Sequence, residues 1–215
     1  MTSSTLKIVC NKDQVSLYKD VINVADKTYK IIFNARNDGF PISTMVGFKM
    51  YTLLYELNRD IIHSFKVIKE NDKSIEMIFL FKSVGKEFGL APKFMHTVTT
   101  ADCIPQQPDS DSCCILSCIF NSVDVSSNEN DDNISIPKKY ERLHTNNSAL
   151  TVQFISNHEL HYDFTFSLKD NDENNGNNGN NQNEKNEYPI YMENSVALMI
   201  KKMFCRLKVF TERIV

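Results

Sequence analysis

Apolar residues recur along this chain at two spacings, every second position in some stretches and every third or fourth in others. The first spacing marks strands and the second helices. The strictest alternation is Leu160, Tyr162, Phe164, Phe166 and Leu168, which predicts a strand over 160–168 paired with 150–155 around Asn157-His158-Glu159. Residues 5–10 read as a short strand. Val15, Tyr18, Val21, Ile22 and Ala25 then fall on one helical stripe, so a helix is expected over 13–25, capped by Asn11 or Asp13. A strand at Thr28–Phe33 runs into Asn37-Asp38-Gly39, a chain-reversal signal. Phe48, Met50, Leu54 and Leu57 set against Lys49, Thr52 and Glu56 suggest partly buried strand, with a helix through Met50–Leu57 as the alternative. Ile61, Ile62 and Phe65 suggest a helical turn before Lys66–Ile68. A buried strand is expected at 75–81 and a short helix over Ser83–Leu90.

Beyond residue 100 the texture changes. Pro105, Pro108 and Asp109-Ser110-Asp111 mark a loop, Cys113–Phe120 a compact apolar strand, and Ile134–Ile136 another strand. Val196, Met199, Ile200, Met203 and Phe204 share one helical face, predicting a helix over about 193–205 with a closing strand from Leu207 to Phe210. Residues 170–187 are nearly all Asn, Gly, Asp and Glu and cannot bury apolar area, so they read as a disordered insertion. The order of elements is that of an α+β fold with largely antiparallel sheets and few helices.

Composition narrows the classes. The chain has 215 residues, 41% apolar and 24% charged, enough for a real core. Its net charge is −3, from 24 Lys and Arg against 27 Asp and Glu, so no global basic excess advertises nucleic acid. No apolar run approaches the roughly 20 residues of a membrane helix, and Met1–Cys10 lacks the apolar core of a signal peptide. The expected location is therefore nuclear or cytoplasmic. In such a compartment Cys10, Cys103, Cys113, Cys114, Cys118 and Cys205 read as free thiols.

A search for site chemistry returns little. The six glycines form no phosphate-binding loop. Cys103, Cys113, Cys114 and Cys118 lack knuckle spacing, and the strand faces of the last three do not converge on a tetrahedral site. His158 and His161 are not the H-E-x-x-H pair, and their hairpin setting points the rings to opposite faces. His63, His96 and His144 carry no nucleophile signature. No catalytic, metal or cofactor residues are assigned, and a non-enzymatic protein is expected.

One stretch resembles a family. Ile31 to Val46, then Gly47–Leu57, then Ile61-Ile62-His63-Ser64-Phe65-Lys66-Val67 is similar to the first half-domain of DNA sliding clamps, where a strand ends at an Asn/Asp-Gly turn and an aromatic turn leads into the next strand. The polar turn before Ile75–Phe81, Ile134-Ser135-Ile136-Pro137 with Leu143, and Leu150–Leu160 look closest to the Hus-type subunit of the heterotrimeric nine-one-one checkpoint clamp. The resemblance implies a clamp-like half over 1–100 and a degenerate second half over 101–215. It also implies two related clamp subunits and a clamp loader as partners, and a platform role in DNA-damage checkpoint signalling and repair on encircled double-stranded DNA. Lys12 and Lys19 on the first helix and Lys201, Lys202 and Arg206 on the last are then the phosphate-facing candidates. Solvated helix faces are the plainer reading of those cations. The alternative to the clamp is an α+β interaction or assembly subunit of an unrelated intracellular complex.

Overall fold

Inward-facing apolar residues every second position fix where the sheet's core face lies. A computed structural model describes residues 6–21, 27–83, 91–105, 116–125, 136–145, 147–168 and 190–215. The strands are β1 (Leu6–Lys12), β2 (Val15–Asp20), β3 (Lys27–Arg36), β4 (Ile62–Glu70), β5 (Ser74–Phe81), β6 (Lys93–Pro105), β7 (Leu116–Asp124), β8 (Glu141–Arg142), β9 (Ser148–Ser156) and β10 (Glu159–Leu168). They form one sheet in the order β1-β2-β3-β10-β9-β7-β6-β5-β4, with β8 alongside β6. Every pairing is antiparallel except β6 with β8.

After β3 the chain leaves the middle of the sheet through a 3₁₀ turn (Ile42–Met45) and helix α1 (Lys49–Leu57), re-entering at the far edge as β4. From there it works back strand by strand until β10 closes on β3, with Leu160 opposite Ala35 and Tyr162 opposite Phe33. Helix α2 (Ile190–Arg213) lies against β2, β3 and α1. It buries Ala197, Met203, Phe204 and Leu207 in the same core as Leu17, Ile31 and Tyr162. Ring pairs knit this core: Phe33 and Tyr162 stack with centres 4.5 Å apart, and Phe164 and Phe204 meet at a tilt with centres 5.0 Å apart.

The α+β, mainly antiparallel class stands, but several elements differ from the sequence reading. The helix over 13–25 is a correction. Residues 6–20 make a hairpin whose two turn residues, Asp13 and Gln14, sit at φ 60° and 56°. Both central residues at positive φ is the signature of a type I′ turn, which matches the twist of the strands it joins. Val15 and Leu17 thus alternate into the core instead of forming a helical stripe. The helical alternative through Met50–Leu57 is the one the chain adopts. Ile61, Ile62 and Phe65 lead straight into β4 instead of forming a helical turn.

Strand β6 has no counterpart among the expected elements, because its inward positions include Thr97 and Thr99, which hide the alternation. The closing strand at Leu207–Phe210 is instead the last part of α2, where the helical stripe simply continues. Most of the predicted helix at Ser83–Leu90, the start of the Cys113–Phe120 strand, most of Ile134–Ile136, and the 170–187 insertion lie outside the described residues.

Residue 100 falls within β6, and strands from 1–100 and from 101–215 interleave in one sheet, as β3 beside β10 shows. The clamp-like arrangement of two β–α–β halves is not what this chain builds. The cysteine reading needs correction as well. Cys103 and Cys118, opposite one another on β6 and β7, are joined as a disulfide with Cα atoms 4.1 Å apart, while Cys10 and Cys205 are free. Cys113 and Cys114 lie outside the described residues.

Candidate functional site

Between the sheet and the two helices the side chains do not quite meet, and an apolar cavity of about 90 Å³ remains. Its floor comes from β5, β6, β7, β9 and β10, through residues such as Met77, Phe79, Leu150 and Phe166. Leu143 and Thr145 add a wall. Tyr51 and Leu54 of α1, with Ile200, Met203 and Phe204 of α2, form the roof. Among the described residues, no charged side chain lines it. Its aliphatic and aromatic walls offer dispersion contacts to an apolar guest. Larger surface grooves exist, of about 490 Å³ beside Lys202 and Arg213 and about 820 Å³ beside Glu70 and Asp72, but their walls carry charges.

Among the described residues, the cavity's polar side chains are the hydroxyls of Tyr51, Thr97, Ser122, Thr145 and Ser148, and Thr99 lies just behind them. Thr99 and Ser122 share a hydrogen bond of 2.7 Å, and the Tyr51 hydroxyl reaches both from α1. Burial pushes the Tyr51 phenol above its ordinary value, the two hydroxyl contacts only partly offsetting it. Thr145 donates through its backbone N–H and its hydroxyl to the two carboxylate oxygens of Asp124, each at 2.9 Å. Thr97 is 1% exposed, and its Oγ1 has no hydrogen-bond partner among the described residues. These residues are the ones sequence reasoning missed. The one signal for them was the β-branched run Thr97-Val98-Thr99-Thr100, which favours a strand whatever its polarity.

The roof helix is fastened along its C-terminal half. Arg206 holds both carboxylate oxygens of Asp60 in a two-pronged pair, with Nη2 2.7 Å from Oδ2, and it also donates to Asn58 Oδ1 at 3.1 Å. This pair holds the Asp60 carboxyl well below the usual carboxylate range. The last turn is held by Asn37, whose side-chain amide donates to the carbonyls of Thr211 at 2.9 Å and Ile214 at 2.8 Å. Nearer the start of the helix, the Tyr29 hydroxyl donates to Asn194 Oδ1 at 3.2 Å.

The five predicted cations do not share a surface of one character. Lys201 is buried, 5% exposed, and its ammonium donates 3.1 Å to the carbonyl of Lys12, so it braces α2 against the β1–β2 hairpin. The Lys12 side chain is exposed on β1. Lys19 lies on β2, with its ammonium 5.4 Å from the ring centre of Tyr29. Lys202 and Arg206 converge on Asp60, Lys202 at 3.6 Å, and so form a mixed-charge cluster. His158 serves the hairpin turn: its Nδ1–H donates to the carbonyls of Asn37 at 2.8 Å and Phe40 at 3.1 Å. His161, on β10, meets Asn34 Oδ1 at 2.6 Å.

No protein-family model and no curated protein sequence matches the chain. Solved structures do. The human StarD13 (DLC2) lipid transfer and protein localization domain superposes with a TM-score of 0.65 over 98% of this chain and 91% of that domain, at 9% identity. Human StAR-related lipid transfer protein 5 gives 0.58 over 97% and 86%, at 10% identity. A STAR-related lipid transfer protein from Xanthomonas axonopodis gives 0.57 over 96% and 98%, at 7% identity. At these identities the likeness is one of fold, the helix-grip arrangement of a sheet and a long C-terminal helix. It overturns the sliding-clamp resemblance and the checkpoint and repair role drawn from it. With the clamp go the two clamp subunits, the loader and the encircled DNA as partners.

Proposed function

We propose that this protein binds a lipid, its apolar body held in the cavity between the sheet and α2. The observation that carries this reading is a site between sheet and helices lined mainly by aromatic and aliphatic side chains and, among the described residues, by no charged one. Burying hydrocarbon there is worth about 25 cal/mol per Å² removed from water. The lipid-transfer names of the structural neighbours support the same reading.

Pockets that engulf whole small molecules run from roughly 300 Å³ upward, against about 90 Å³ here. Binding a full acyl chain therefore requires the roof to move outward. The fastened C-terminal half of α2 and the Tyr29–Asn194 contact are the restraints such a movement works against. The guest supplies the energy by replacing water contacts with protein ones.

The test is uptake. Purified full-length protein is incubated with phosphatidylcholine vesicles carrying trace labelled lipids, separated from them, and extracted for mass spectrometry. Stoichiometric recovery of lipid with the protein is expected. Met203→Trp, which adds bulk at the roof, is expected to cut recovery at least fivefold while keeping a cooperative melt. Lipid-free wild-type protein under these conditions, or Met203→Trp taking up lipid as the wild type does, would rule the reading out.

A further inference from the structure

Buried hydroxyls are almost always paired, because leaving one unmade forfeits the hydrogen bond it had in water. Among the described residues, two buried side-chain polar atoms lack a partner, Thr97 Oγ1 and Arg142 Nε, and of those two residues only Thr97 lines the cavity. The nearest polar side chains on its own and the adjoining strand are engaged with others. Thr99, two residues along the same strand face, is bonded to Ser122. Asp124, directly across from Thr97 on β7, gives both oxygens to Thr145. Facing Thr97 from β5 is Met77, which offers no strong acceptor. No described residue pairs with the orphan, which therefore points to a guest.

A threonine hydroxyl both donates and accepts, so it suits an alcohol or a carbonyl equally. A carboxylate or phosphate is a poor guest, since no cation among the described residues lines the cavity and an unpaired charge there is costly. Building on the lipid-binding reading, we infer that Thr97 Oγ1 anchors the single polar group of an uncharged amphiphile, whose hydrocarbon lies against Met77, Leu150, Phe166 and Met203. The polar group thus sits inside, and the cavity selects for neutral lipids over acidic ones.

Thr97→Val keeps the shape and removes the hydroxyl. Wild type, Thr97→Val and Thr97→Ser are each offered 1-dodecanol, dodecane and laurate from phosphatidylcholine vesicles, at a pH where laurate is ionised, with uptake measured by mass spectrometry. Wild type is expected to take up 1-dodecanol in preference to laurate. Thr97→Val is expected to bind 1-dodecanol about tenfold more weakly, the size of one lost buried hydrogen bond, and dodecane within twofold of wild type. Thr97→Ser restores the alcohol. Because an unpaired hydroxyl is removed, Thr97→Val melts no lower than wild type. Equal losses for alcohol and alkane, no loss for either, or a Thr97→Val protein that fails to fold overturns the anchor while lipid binding stands. Wild-type protein that takes up none of the three overturns both.

Discussion

Asn37 uses every hydrogen-bonding group of its side chain. Its NH₂ donates to the Thr211 and Ile214 carbonyls, and its oxygen accepts from the N–H groups of Gly39 at 3.0 Å and Phe40 at 2.9 Å. One residue thus forms the turn after β3 and satisfies carbonyls that the end of α2 would otherwise leave bare. Asn37→Ala is expected to cost about 2–4 kcal/mol, from several buried hydrogen bonds at about 1 kcal/mol each, read by urea denaturation. At the β1–β2 turn the opposite substitution helps. Gln14 holds φ 56°, where a side chain clashes with the backbone, and it is exposed. Gln14→Gly is expected to stabilise by about 0.5–1 kcal/mol, net of the entropy that glycine adds to the unfolded chain; a lower midpoint in urea would refute it. The chain reversal at Asn37-Asp38-Gly39 was legible, but the capping role was not. The carbonyls that Asn37 serves lie more than 170 residues away in sequence.

At the scale of elements, α2 shows what periodicity conveys and where it stops. Its apolar stripe announced a helix, but Lys201 and Lys208 lie within the buried face, each with a partner: Lys201 on the Lys12 carbonyl, Lys208 on Glu212. Assigning every lysine to the solvent side fails when its stem packs and its ammonium finds an acceptor. The Arg206–Asp60 pair ties α2 to the end of α1. The folded-state pKa of Asp60 is depressed, so its contribution is present above the ordinary carboxylate range and drains as pH falls below about 4. Because the Asp60 side chain is 54% exposed, solvent screens most of that gain. Asp60→Asn is therefore expected to cost under about 1 kcal/mol at pH 7. The cost should shrink in 1 M salt and near pH 3, as followed by thermal melts. A penalty independent of both would mean that the pair acts through packing alone.

For the molecule as a whole, the closure of β10 on β3 is the decisive contact. It brings residues about 130 positions apart into one ladder and carries the sheet under α2. Phe204 is 4% exposed and packs its ring at a tilt against both Phe33 and Phe164, residues of the two strands of that closure. Phe204→Ala is expected to cost about 3–5 kcal/mol, a large share of the 5–15 kcal/mol typical of a domain, and to widen the cavity. Calorimetry would show the loss, and a short-chain alcohol added at saturation should recover part of it. A variant as stable as wild type would mean that the roof does not rest on this ring.

Taken by itself, the sequence determined what is local: the alternation of 160–168, the amphipathic stripe of α2, the reversal after β3, and with them the α+β class. Side-chain periods of 2 and 3.6 are properties of a few consecutive residues, so they survive without knowledge of neighbours. Only the tertiary structure decided that 15–20 is a strand, that Thr97 and Thr99 face inward, that Lys201 is buried, and that a cavity lies beneath α2. Each of these depends on which distant segment lies alongside, and that pairing is set by burial summed over the whole sheet, a quantity that no window of sequence contains.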